Sequence, residues 1–298
     1  MRLLYSRHLR HFLAVCETGS LRKAAEICSV TQPALTKSLQ ALEAELGVTL
    51  FERSATGMVP TPAAQIVRSH GQHIVNSSRY MEMEIAILRG GGVGTWRIGS
   101  TIVWSATRMP SLLAALHAQY PQLEITLQSG LVTQLLPRLM DGTLDVLLGS
   151  LPPHSLPDKY CVQELPGSDV CVFCRHDHPL TQLENLQLGQ LEQCDFIGFL
   201  QDHESERQLA LRFVDMGLSA PRIILRTSSL ETLLATVAAS DSLTFLSDLL
   251  KDRATAAGLQ QLRLDAPLWR IRLGVSYRTD AVEFVPLRSL LVLATGGS

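Results

Sequence analysis

The chain contains no stretch of about 18 uninterrupted apolar residues, so a transmembrane helix is not expected. Its opening, MRLLYSRHLRHF, has neither an apolar h-region nor a small-residue cleavage site, which points away from secretion and toward a cytoplasmic protein. Six cysteines in 298 residues are too few for a disulfide scaffold, and without a secretory signal they are expected to be reduced. No Walker-type P-loop and no G-x-S-x-G elbow occurs, so an enzyme reading lacks an anchoring motif. Gly 20 and Pro 14 exclude collagen-like and low-complexity classes.

Apolar residues make up 46% of the chain, enough to bury several cores, and at roughly 100–200 residues per domain two or three domains are expected. The formal charge of −2 is unevenly spread. Residues 1–90 hold ten Lys/Arg against seven Asp/Glu, whereas residues 91–298 hold sixteen against twenty-one. A basic first third on an acidic remainder makes nucleic acid a candidate partner of the first part.

In that first part, Leu9, Phe12, Leu13 and Cys16 follow the i, i+3, i+4, i+7 spacing of one helix face. Gly19 suits the C′ position that closes the helix, and Ser20 the N-cap of the next. A short second helix is expected to bury Leu21, Ala24, Ala25 and Ile27. Thr31 can cap a third, with Pro33 in its first turn, running to about Leu46 and ending at Gly47. Leu35, Leu39, Leu42 and Leu46 form its inner stripe. The outer face carries Pro33, Lys37, Gln40 and Ala44, with Gln32, Ala34, Thr36 and Ser38 at its edges. The N-terminal half of that face is small, polar and basic, and its acids, Glu43 and Glu45, come late. Such a surface suits the major groove, where Gln bonds base edges, Ala and Thr methyls meet thymine, and Lys reaches guanine or phosphate. In the following LFERSATGMVPT, Thr56-Gly57 reads as a hairpin tip, and Arg53 at its base would reach the flanking DNA backbone or minor groove. The alternative is a helical hairpin packed on some other surface.

Phe12, SLRKAAE at 20–26, TQPALTKSLQALEAELGVTLFER at 31–53 and the TP at 61–62 together resemble the winged helix-turn-helix of LysR-type transcriptional regulators. The resemblance implies that Gln32, Pro33, Ala34, Lys37 and Ser38 face DNA and that Arg53 lies in the wing. Ala64 departs from the glycine common at that place and favours helix.

Residues 62–89 read as a helix of about 42 Å, long for one small domain to cover. Val67, Ile74, Met81 and Leu88 recur every seven residues, beside a smaller column of Gly71, Ser78 and Ile85. This pattern suits pairing with a second long helix, and two paired subunits demand an inverted-repeat operator. The alternative is a helix packed on its own chain. The resemblance implies the same linker-helix homodimer, often joined into a homotetramer. The glycine-rich run at 89–94 follows a helix and precedes the strand-like TWRIG, so it reads as a hinge and not as a dinucleotide loop.

From Thr95 onward, short apolar runs alternate with helical segments, which predicts parallel α/β sheets. The fold class is therefore α/β: an N-terminal winged helix-turn-helix (1–61), a linker helix (62–90) and a two-lobed α/β effector domain (91–298). Lobe I is placed at 93–163 plus 267–298 and lobe II at 164–266. The resemblance implies an architecture similar to periplasmic solute-binding proteins. Ligands of open parallel sheets lie beyond the carboxyl ends of strands. Those ends are Ser100-Thr101-Ile102, Ser129-Gly130, Gly149-Ser150, Phe199-Leu200 and Ser228 with its neighbours. Hydroxyls and helix N-termini there suit a carboxylate-bearing small-molecule effector, unless the hydroxyls are ordinary N-caps. Ser247 stands where the resembled family commonly has proline.

Competing chemistry centres on Cys171, Cys174, His176 and His178, whose spacing resembles half of a zinc site. Residues 169–174 read as a strand, which sends Cys171 and Cys174 to opposite faces. A metal-binding protein or enzyme built there, or a redox-sensing regulator, is the alternative function, although Arg175 is the only adjacent base to lower a thiol pKa. No cofactor is expected.

Overall fold

The computed structural model describes residues 6–54, 57–89, 94–152, 154–184 and 186–296. Three helices open the chain: α1 (Arg7–Thr18), α2 (Leu21–Cys28) and α3 (Gln32–Leu46). Each begins where a hydroxyl can cap it, with Ser6, Ser20 and Thr31 accepting from His8, Lys23 and Ala34 N–H groups. Gly19 and Gly47 end α1 and α3 in the left-handed conformation. Phe12, Val15, Ala24, Leu35 and Leu50 close a core between them. On α2 the inward residue is Cys28 and not Ile27, which is 62% exposed. Cys28, unlike Ile27, completes the i, i+3, i+4, i+7 series from Leu21. The wing is a hairpin of β1 (Phe51–Ser54) and β2 (Gly57–Pro60), in which Arg53 pairs with Met58.

Helix α4 (Pro62–Leu88) runs without a break for 27 residues, capped by Thr61. Its two columns serve different neighbours. Gly71 faces α1 so closely that a Cβ would lie 2.6 Å from Leu9 Cδ1, and Ser78 is also buried within its own chain. The small column therefore packs intramolecularly, contrary to the expectation that it faces a partner helix. Of the heptad column, Ile74, Met81 and Leu88 remain outward, whereas Val67 packs against the core of the first three helices; Ile66 beside it is exposed. The glycine-rich segment at 90–93, read above as a hinge, lies outside the described residues.

The rest of the chain supplies β3 (Thr95–Thr101), α5 (Ile102–Ala106), α6 (Met109–Gln119), β4 (Glu124–Gly130), α7 (Val132–Met140), β5 (Val146–Ser150) and β6 (Tyr160–Arg175). There follow β7 (Asp195–Phe199), α8 (His203–Val214), β8 (Arg222–Thr227), α9 (Leu230–Ala238), β9 (Leu243–Ser247), α10 (Lys251–Ala256), β10 (Leu259–Gln261), β11 (Trp269–Arg278) and α11 (Val285–Thr295). The main sheet runs β4-β3-β5-β11-β6-β9-β7-β8. Strand β3 is parallel to β4 and β5, and β7 is parallel to β8 and β9, giving the two expected α/β units. The sheet is nonetheless mixed, not wholly parallel. The two segments that cross between the units, β6 and β11, pair antiparallel with each other. Strand β6 is one 16-residue element, so the expected lobe border at 163/164 falls inside it.

Helix α4 is tied to the first unit by Asp145, which is 2% exposed. Its carboxylate accepts from Arg97 N–H (2.8 Å), Arg97 Nη2 (2.9 Å) and Tyr80 Oη (3.0 Å), and it pairs with Arg79. Arg79 also donates to the Thr95 carbonyl, and Asn76 to that of Gly142. Burial alone would raise the Asp145 pKa, but the hydrogen bonds and charges of Arg97 and Arg79 outweigh it and hold the carboxyl below its usual range. Asp145→Asn should therefore lower unfolding free energy by about 1.5–3 kcal/mol in urea titrations. Because the folded pKa is depressed, the contribution of Asp145 is complete above the ordinary carboxylate range and disappears as pH falls below it. A variant as stable as wild type at pH 7 contradicts this account.

Candidate nucleic-acid interface and interlobe cleft

Gln32, Pro33, Ala34, Lys37 and Gln40 are all exposed on α3, on the side opposite Leu35, Leu39 and Leu42. Glu43 is not a free acid on this surface, since its Oε1 accepts from Leu50 N–H at 2.7 Å. The face is thus the small, polar and basic surface read from the sequence. Ser38 is the exception. It is 6% exposed, and its Oγ lies 2.8 Å from Nδ1 of both His8 and His11 on α1. One hydroxyl can donate to one ring and accept from the other, so Ser38 fastens α3 to α1 and does not face outward as expected. Burial, then the charges of Arg10, His8 and Arg7, push the His11 pKa down, which favours a neutral ring in this link. The Arg53 side chain and Thr56 at the wing tip lie outside the described residues.

Between the two α/β units lies a cavity of about 350 Å³ walled by Thr101, Ile102, Ser150, Phe199, Phe245 and Trp269 among others. A second, of about 530 Å³, adjoins it through Ile102, Leu131 and Phe199 and is lined by Ser129, Gly130, Leu200 and Ser228. Eight of the ten strand-end residues named from the sequence therefore line these cavities. Ser100 and Gly149 do not. Ser100 is fully buried, and its Oγ bonds the Thr101 carbonyl at 3.3 Å. Gly149 has φ +121°, and a Cβ there would sit 1.9 Å from Thr101 Oγ1, so it makes room for Thr101 instead of touching a ligand. Thr101 occupies the N-cap position of α5 without capping it, and its buried hydroxyl has no partner. Ser229, by contrast, is an ordinary cap, accepting from Thr232 N–H.

The lobes touch around the cleft. Gln134 Nε2 donates to Gln201 Oε1 at 2.9 Å, and Arg253 Nη1 to the Ala106 carbonyl at 3.0 Å. Sequence reasoning missed the acidic and crossover walls. Asp202, Glu204 and Gln208 come from the start of α8, Ser247 from the end of β9, and Trp269 to Arg272 from β11. Asp202 was within reach, standing three residues past the end of β7. The β11 residues were not, since they line the cavity from the beginning of their strand and not from its carboxyl end. The arginines are already engaged, Arg270 with Asp169, Arg272 with Glu164, and Arg253 with Glu231. A carboxylate in the cleft would have to draw one of them from its own acid.

Cys171 packs into the apolar cluster containing Phe173 and Ile197, and Cys174 into that containing Val172 and Phe196, on opposite sheet faces. His178 uses both ring nitrogens within the chain, toward Leu180 N–H and the Asp241 carbonyl. Among the described residues no group of three His, Cys, Asp or Glu is placed to hold a metal ion. Burial pushes the Cys16 and Cys174 thiols up to about 11 and raises those of Cys171 and Cys194. No helix among the described residues is long and apolar enough to cross a membrane.

This geometry agrees with comparisons across known proteins. The family model described as LysR substrate binding domain matches residues 89–293, and that described as bacterial regulatory helix-turn-helix protein, lysR family, matches residues 6–65. The chain belongs to the LysR family of transcriptional regulators, with a helix-turn-helix domain and an effector-binding domain. It is similar to the HTH-type transcriptional regulator GbpR of Azospirillum brasilense, 30% identical over 240 residues that cover 80% of this chain and 70% of that one. The DNA-binding transcriptional dual regulator OxyR of Escherichia coli K12 is 28% identical over 285 residues, covering 95% and 91%. In fold, a full-length OxyR variant from Pseudomonas aeruginosa gives a TM-score of 0.68 at 22% identity over 96% and 92% of the two chains. CbnR in complex with its target DNA gives 0.61 at 20% identity over 97% and 98%.

Ser38→Ala separates a fastening role from a DNA contact. It should destabilise the protein by about 1–3 kcal/mol in thermal or urea unfolding, because two ring nitrogens lose their shared partner. The salt dependence of DNA binding should stay unchanged. Unaltered stability together with altered base preference would return Ser38 to the DNA surface.

Proposed function

We propose that this protein is a sequence-specific regulator that sets the exposed N-terminal half of α3 into the major groove of promoter DNA, as a homodimer or a homotetramer built from it. Gln32, Pro33, Ala34 and Lys37 meet the duplex, and Arg53 in the wing follows the adjacent backbone or minor groove. The observation that carries this reading is the acid-free N-terminal half of the outer face of α3, capped, exposed and backed by its own core. Residues 1–61 form the DNA-binding unit, 62–90 the linker and 91–298 the effector unit, with lobes at 93–163 plus 267–298 and at 164–266.

Pairing occurs through the outward column of α4. Ile74, Met81 and Leu88 are 51%, 39% and 87% exposed, flanked by Ile66 at 64%, an apolar stripe on a helix whose other side, Val67 included, packs on its own chain. A small molecule between the lobes favours one lobe arrangement over another by its differential affinity. The change reaches α4 through the crossing strands and the Asp145 cluster. Redox sensing is the weaker reading, because burial disfavours the thiolate at Cys171 and Cys174.

Gel shifts on an inverted-repeat promoter fragment test the DNA reading. Lys37→Ala should weaken binding across sequences and reduce the slope of log affinity against log salt by about 1. An unchanged slope and affinity removes Lys37 from the footprint. Ile74→Glu should shift the protein toward monomer in sedimentation velocity while leaving its circular dichroism intact, and operator binding should fall with it. A dimer of undiminished affinity would place the pairing surface elsewhere.

A further inference from the structure

The charge of the cleft is not what strand-end hydroxyls led one to expect. Four formally charged side chains line the 350 Å³ cavity: Arg270, Arg272, Asp202 and Glu204. Three of them have partners of opposite sign. Arg270 Nη1 lies 3.1 Å from Asp169, Arg272 is paired with Glu164, and Arg207 Nη2 lies 2.8 Å from Glu204. Asp202 is left over. Its carboxylate accepts from Ser205, whose N–H lies 3.3 Å from Oδ1 in the capping bond of α8 and whose hydroxyl is a second partner, and no salt bridge reaches it among the described residues. The charges that act on it most strongly, Glu206 and Glu204, are negative too.

The neutral polar group contributed by β9 has the same polarity. Ser168 Oγ donates to Asp248 at 2.6 Å, which commits its proton. Ser247 Oγ, in hydrogen-bond contact with Ser168 Oγ, must then supply the proton between them. Ser247 also accepts from Leu249 N–H, so toward the cavity it can offer only a lone pair. Thr101, 5% exposed, adds a buried hydroxyl at the wall with no partner. The remaining walls add the neutral polar side chains of Thr133, Ser150, Ser205 and Gln208 and an apolar, partly aromatic surface from Phe199, Phe245, Trp269 and Ile271. A half-buried, uncompensated carboxylate beside aromatic faces favours a ligand that brings a positive charge and an apolar body.

We propose that the effector of this cleft is an organic amine, whose ammonium sits at Asp202 and whose apolar body lies against Phe199, Phe245 and Trp269. The inference rests on the assignment of the cleft as the effector site and adds the charge of its occupant. The ammonium completes the one unbalanced charge of the cavity, whereas a carboxylate there meets Asp202 and the lone pair of Ser247.

Calorimetric titration of the full chain with matched probes tests it: phenethylamine, 2-phenylethanol and phenylacetate, and hexylamine, hexanol and hexanoate. Each amine should bind at least tenfold more tightly than its carboxylate. Asp202→Asn keeps a good helix cap, so the fold should hold, and it should weaken the amines at least tenfold while leaving the alcohols within twofold. Carboxylates that bind as well as amines, amine affinity within twofold of wild type in Asp202→Asn, or no binding by any of the six probes overturns the proposal. Ser150→Trp, which fills the cavity, keeps the two levels apart. Amine binding that survives it places the site outside the cleft and so removes the underlying assignment, whereas carboxylate binding that it abolishes leaves the cleft in place and removes only the amine.

Discussion

One buried carboxylate holds the two halves of this regulator in a fixed relation. Asp145 ends the turn before β5 and is reached by Arg97 from β3 and by Arg79 and Tyr80 from α4. Removing any donor leaves a charge or a phenol short of its partner in a place where water cannot replace it. The cluster therefore does more than add stability. It makes the linker helix part of the first lobe, packed on Trp96 and Phe284 through Tyr80 and Met83. A movement of that lobe is then a movement of α4.

The same helix is also bound to the DNA-binding unit, through Gly71 against Leu9 and Leu13. What remains free on α4 is the outward apolar column. A single helix thus has three neighbours to satisfy, one on each side, which explains why its sequence looks neither like a simple coiled coil nor like an ordinary amphipathic helix. Glycine and serine mark the side that meets its own chain, and aliphatic residues mark the side left for a second copy.

Elements whose signals are local were legible in the sequence. Ser20, Thr31, Gly19 and Gly47 set helix ends by hydrogen bonds within a few residues, and the helices begin and end there. The outer face of α3 followed from periodicity alone. What failed depended on distant partners. Ser38 looked like a small polar surface residue until two histidines, 27 and 30 residues away, were brought to it. Gly71 and Ser78 had the spacing of a helix-pairing seam, and nothing local says which chain fills it. In the cleft, hydroxyls at strand ends were found because a topological rule points to them. The acid at the start of α8 and the first residues of β11 were not, because the rule points to the carboxyl ends of strands and not to helix starts or to the beginnings of segments that cross between lobes. Thr101 and Ser229 show the limit of residue type: both sit at helix starts, yet only Ser229 spends its hydroxyl on a cap.

The two attachments of α4 also define where this protein can be cut and rejoined. Its N-terminal half belongs with α1 through Gly71, and its C-terminal half with lobe I through Asn76, Arg79 and Tyr80. The contacts overlap between Ser69, which accepts from Lys159, and His73, which pairs with Asp280, so a chimera between relatives must carry the helix whole with lobe I or exchange both sets of contacts together. A graft made after Leu88 would set a foreign lobe against the Asn76, Arg79 and Tyr80 of this helix, so the link between sensing and promoter would depend on whether that lobe presents an aspartate and a carbonyl where Asp145 and Gly142 stand.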